Sequence, residues 1–148
     1  MADFEVMSLG SPPASSSQAF WQALDTLVAS TEIVVDRPRG TAHPRYADKI
    51  YPLDYGYLQG TSANDGSGID VWIGTLEKKN VCAVIVAIDL HKRDSEIKIL
   101  LGCTPEERRM ILDMHNQGKQ SAILIEPKVG EIDAGDDTAK ESGAVIVL

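Results

Sequence analysis

A chain of 148 residues, 43% hydrophobic and 24% charged, is long enough to bury one core and has the composition of a single globular domain. Fourteen basic against 22 acidic residues leave a formal net charge of −8, which argues against a broad basic face for nucleic acid. The longest uninterrupted apolar run, Val81–Ile88, is too short to span a bilayer, so no membrane association is expected. The N-terminus carries Asp3 and Glu5 without a basic region ahead of an apolar stretch, so no secretory leader is read. Cys82 and Cys103 lack a C-x-x-C spacing and read as two buried thiols of a reducing, cytoplasmic compartment.

In chain order, residues 1–14 carry Gly10, Pro12 and Pro13 and read as a flexible arm. From Ser16, Phe20, Leu24, Leu27 and Val28 recur at helical spacing behind a serine cap, predicting a short amphipathic helix. Glu32–Asp36 reads as a strand through its β-branched centre. Pro38, Gly40 and Pro44 then break any regular structure. That irregular segment gathers Arg37, Arg39, His43 and Arg45 within nine residues, a local concentration of cationic donors suited to phosphate oxygens or, equally, a solvated loop. Further strands are expected at Ile69–Gly74, Val81–Leu90, Glu96–Cys103 and Ser121–Ile125. Thr104, Pro105 and Glu107 form a capping box ahead of a second helix. The closing A-V-I-V-L can pair as an edge strand of this chain or a neighbour. The expectation is a mainly β fold with two peripheral helices, a five-stranded OB-like closed barrel over residues 15–127, followed by a tail over 128–148.

The chemistry concentrates between Ile50 and Thr75. Asp70 stands at the mouth of an apolar strand, where a carboxylate is costly unless paired or bound to a cation. Asp65 lies five residues earlier, across Gly66 and Gly68, close enough to share a magnesium ion, which needs few carboxylates. For Asp65 a simple Asx turn beside glycine is an equal reading. Asp89 and Lys98 lie within strands and could meet at one end of the fold. Lys92, Arg93 and Asp94 read as a charged hairpin tip. These residues suggest metal-dependent phosphoryl hydrolysis.

The elements V-D-R-P-R-G-T-A-H-P-R-Y, Y-P-L-D-Y-G-Y and D-G-S-G-I-D-V, in this order, resemble those of the soluble family I inorganic pyrophosphatases. The resemblance covers roughly Ile33 to Lys98. It implies a five-stranded OB-like barrel and hydrolysis of magnesium pyrophosphate, or a related small diphosphate, to two phosphates. It also implies Mg2+ (or Mn2+) as cofactor, a homo-oligomer, and neither nucleic acid nor membrane as partner. By position, it implies that Asp65, Asp70, Asp89 and Glu96 are metal ligands, with Asp94 competing for the role of Glu96. Tyr55 would lie near the nucleophile, Asp36 would belong to the acidic set, and Arg45 and Lys98 would bind phosphate, joined by Arg37 and Arg39 from the cationic segment.

The chain departs from the family pattern at Ser67, where a base and metal-ligating aspartate is expected, and at Ala47, where a glutamate is expected. Asp54, standing where the family has asparagine, is the candidate replacement for the missing base. Serine is no general base unaided and is a poorer ligand for a hard cation. A module that binds a phosphorylated ligand without efficient turnover is therefore the alternative to a hydrolase.

Overall fold

The computed structural model describes residues 16–63, 65–128 and 145–147. In chain order they form α1 (Ser16–Ala29), β1 (Ile33–Arg37), β2 (Asp54–Leu58), β3 (Ile69–Ile73), β4 (Val81–Asp89), β5 (Asp94–Leu101), α2 (Pro105–Met114), β6 (Gln120–Glu126) and β7 (Val145–Val147). The expected N-terminal arm lies outside the described residues, as does all of the tail except Lys128 and β7.

The strands form one mixed sheet in the order β1-β2-β3-β5-β4-β6-β7, the last position being the short β7 alongside β6. Four pairings are antiparallel (β1–β2, β2–β3, β4–β5 and β4–β6), while β3–β5 and β6–β7 are parallel. The sheet is not closed, so the expected five-stranded OB-like closed barrel is not the architecture, although mainly β with two helices holds. The reason lies in which faces are covered. Strand alternation sends Trp72, Ile85, Leu100 and Leu124 to one face, where they pack with Ile111 and Leu112 of α2. Val71, Val84, Ile99 and Leu101 point to the other face and meet Trp21, Leu24, Leu27 and Val28 of α1. A sheet with a helix on each face buries both sides without rolling up. The near-continuous apolar run of β4, central and buried on both sides, is the sequence correlate of this arrangement.

α1 turns a different residue inward from the one its spacing suggested. Trp21 is 4% exposed, whereas Phe20 is 44% exposed and lies edge-on to it. In α2 the capping box forms as expected: the Thr104 hydroxyl accepts the Glu107 amide and the Glu107 carboxylate accepts the Thr104 amide. Glu107 also accepts the amide and hydroxyl of Thr75, tying the loop after β3 to the start of the helix.

The strand that the sequence did not reveal is β2, D-Y-G-Y-L, whose aspartate and glycine disguise it. Gly56 is needed there because a Cβ at this position would run into the Val34 carbonyl of β1. Gly56→Ala is expected to push β1 away and cost about 1–3 kcal/mol. Urea denaturation measures this; a loss below about 0.5 kcal/mol would mean that β1 adapts freely.

Candidate functional site

The half of the α2-side face that the helix leaves uncovered is polar. β3 and β5 run parallel there with Asp70 opposite Lys98, and Tyr55 of β2 lies opposite Trp72 one strand over. The Lys98 ammonium donates to Asp70 Oδ2 at 2.9 Å, Glu96 Oε1 at 2.6 Å and the Tyr55 hydroxyl at 2.9 Å. Lys98 is only 5% exposed. Burial alone would lower its pKa, but the neighbouring Tyr55 oxygen and the Asp70 and Glu96 carboxylates outweigh burial and hold it above the ordinary lysine value. Burial likewise pushes the Tyr55 phenol above its usual range, so it stays a neutral hydroxyl.

A cleft of about 420 Å³ opens nearby, lined by His43, Pro44, Arg45, Tyr46 and Lys92. The His43 pKa is lowered, first by burial and then by the charges of Arg37, Lys49, Arg45 and Lys92. His43 Nδ1 accepts the backbone amides of Arg45 and Tyr46 at 2.9 and 3.2 Å. In the neutral ring the proton therefore resides on Nε2, leaving an N–H for an incoming acceptor.

Aromatic contacts join the cleft to the lysine network. His43 stacks on Tyr51 with ring centres 6.1 Å apart, Tyr51 lies 5.4 Å from Tyr55, and Tyr55 lies 4.6 Å from Trp72. Arg37 donates to the Tyr51 hydroxyl at 2.7 Å. At the inner end, Trp72 Nε1 donates to His115 Nε2 at 3.1 Å, and His115 Nδ1 faces Gln120 Oε1 at 3.3 Å. Since Nε2 accepts, Nδ1 carries the hydrogen and donates to Gln120. Burial, followed by the charge of Lys98, lowers the His115 pKa to about 4.

The structure thus brings together Tyr55, Asp70, Glu96 and Lys98, and separately gathers Arg37 and Arg45 around His43. The remaining predicted residues make other contacts. Asp65 is exposed and its carboxylate accepts the Ser67 amide at 2.9 Å, an Asx turn supported by the positive φ of Gly66. The Asp89 carboxylate accepts the amides of His91 and Lys92; the Lys92 bond is the largest cause of its lowered pKa. Asp54 is paired with Ile73, so strand alternation directs it to the face opposite Tyr55, and its carboxylate accepts the Arg39 amide at 2.8 Å. Asp36 is exposed at the register shift of β1, and Arg39 is exposed too. Asp94, the competitor of Glu96, is exposed at the β4–β5 hairpin opposite Asp89. Lys49 and Lys92 were missed, the latter read as a hairpin tip; the Lys49 carbonyl accepts the His43 amide within the same loop, whereas only the tertiary fold brings Lys92 to the cleft. Trp72 and His115 were missed as partners, 43 residues apart in sequence.

The fit of a resident divalent ion can be tested on these side chains. Among the described residues, no group of three or more His, Cys, Asp or Glu is placed to hold one. The two carboxylates that do converge, Asp70 and Glu96, converge on the Lys98 ammonium. As arranged, the residues do not fit a resident magnesium site.

No family model matches the sequence, and no curated protein matches it. Among solved structures, the chain is similar to an inorganic pyrophosphatase from Neisseria gonorrhoeae, with a TM-score of 0.44 and 20% identity over 60% of this chain and 77% of that one. It is also similar to an inorganic pyrophosphatase from Coxiella burnetii, with a TM-score of 0.41 and 14% identity over 62% of this chain and 81% of that one. No described helix is long and apolar enough to cross a membrane.

Proposed function

We propose that the protein binds a small diphosphate, pyrophosphate foremost, and hydrolyses its phosphoanhydride bond. The observation that carries this reading is the cationic cleft of His43, Arg45 and Lys92, joined through the Tyr51 ring to the Tyr55–Lys98 network in a chain of net charge −8. Arg45 and Lys92 provide the charges that line the cleft, Arg37 and Lys49 add to its field, and His43 Nε2–H offers a directed donor. The substrate is taken as the diphosphate complexed with magnesium or manganese. Water adds to one phosphorus, the bond to the bridging oxygen breaks, and two phosphates leave. Fixed cations aimed at the departing phosphate lower the barrier by stabilising the charge that develops on it.

A second reading, binding without turnover, is favoured by Ser67, whose hydroxyl stands where the resemblance expects the base. Asp54, the candidate replacement, contributes to the opposite face. Phosphate release from pyrophosphate with magnesium or manganese, measured beside calorimetric binding of the same anion, separates the two. Release with binding supports hydrolysis, binding without release supports the second reading, and neither would end both.

In either case, Arg45→Ala and Lys92→Ala are each expected to weaken diphosphate binding about tenfold, the equivalent of about 1.4 kcal/mol. Calorimetry at low salt measures this, because screening weakens contacts at an open cleft. Unchanged affinity in both variants would remove the cleft from the site.

A further inference from the structure

An ammonium has three N–H donors, and Lys98 places them on three acceptors: Asp70, Glu96 and Tyr55. None is left for a phosphate unless one of these bonds breaks. Two half-buried carboxylates brought together on one sheet face repel each other, and a cation between them relieves that repulsion. In many phosphoryl-transfer sites that cation is a divalent metal held by one or two carboxylates. Here the lysine is covalently attached, 5% exposed, and within 2.9 Å of both carboxylates.

We propose that Lys98 is a built-in cation that occupies the position a divalent ion would take between Asp70 and Glu96, so that the protein carries no metal at this point and metal enters only with the anionic substrate. The inference takes its functional meaning from the diphosphate reading, but its geometry and its test involve no phosphate. One lysine contributes a single positive charge against two carboxylates, leaving the cluster at −1. Magnesium would leave it neutral but would have to shed water to enter a space already filled. The tether favours the lysine because it is bound in every folded molecule.

Deleting the ammonium should uncover a divalent site. Mn2+ binding to the substrate-free protein, followed by electron paramagnetic resonance and calorimetry, is compared between wild type, Lys98→Met and Lys98→Gln. Methionine keeps the apolar stem, and glutamine keeps a hydrogen-bond donor in case the methionine variant fails to fold; circular dichroism confirms the fold of each. The expected result is at least tenfold tighter Mn2+ binding in a folded neutral variant than in wild type, lost again when Asp70→Asn is added. Two outcomes would overturn the proposal. One is saturable binding of a single Mn2+ to wild type that disappears in Asp70→Asn, which would mean that the lysine yields its place. The other is failure to gain Mn2+ affinity in whichever neutral variant folds, or failure of both to fold, which would make Lys98 a structural requirement rather than a stand-in for an ion. Absence of phosphate release in wild type bears on the diphosphate reading alone and leaves the Mn2+ comparison intact.

Discussion

Glu126→Ala is expected to lower the unfolding free energy by about 3–5 kcal/mol, the range for breaking a buried ion pair from one side. Arg108 of α2 is buried, and its Nη1 lies 3.1 Å from Glu126 Oε2 at the end of β6. Truncating the acid removes the Glu126 counter-charge from a buried guanidinium. The pair also anchors α2 to the sheet, so the helix that covers Trp72 and Leu100 is loosened with it. Urea titration monitored by far-UV circular dichroism measures the change. The double variant Arg108→Met/Glu126→Leu should recover most of the loss, because removing both charges together removes the unpaired one. A loss below about 1 kcal/mol for Glu126→Ala would show that the pair is solvated and contributes as little as a surface pair.

Acidification from pH 7 toward pH 4 is expected to destabilise the protein through His115. Its folded pKa of about 4 lies below the 6.5 of a free imidazole, since burial and then the Lys98 charge oppose protonation. Between these values the unfolded chain takes up a proton that the folded chain does not. The contribution of His115 is therefore fully present above about pH 6.5 and is lost as the pH falls toward 4. The total is about 3 kcal/mol, or about 6–12 °C in Tm for a domain of this size. Glutamine can still accept from Trp72 but does not titrate, so His115→Gln should flatten the Tm profile over this interval. The lowered pKa of His43 acts in the same direction but belongs to a far more open ring, and wild type and His115→Gln share it. An equally steep profile in His115→Gln would assign the acid sensitivity to other groups.

Much of the secondary structure was legible because it depends on local signals. The Thr104–Glu107 box fixes the start of α2, and the apolar run of β4 announces a central strand. Closure was not legible, since whether a sheet curls depends on what covers its faces, and the placement of α1 and α2 on opposite sides is a tertiary fact. β2 escaped because D-Y-G-Y-L lacks β-branched residues and holds a glycine whose purpose is the close approach of β1. In the site, Asp70 was found from one local argument, that a carboxylate at a strand mouth needs a partner. The partner proved to be Lys98. The Asx reading of Asp65 was already present in its glycine neighbours. The approach of Lys92 to His43 had no sequence signature, because it arises where a loop meets a hairpin distant in sequence.

The pairing of β3 with β5 also bears on the order of assembly. β1–β2–β3 and β5–β4–β6 are each antiparallel runs of neighbouring strands, and the parallel β3–β5 ladder is the seam that joins them. Parallel pairing across a crossover closes a longer loop than a hairpin does and forms later. Asp70 and Lys98 face each other across that seam, so the charged network is incomplete in either half alone. It is completed only when the two halves dock, which makes an intact site a signature of the completed fold.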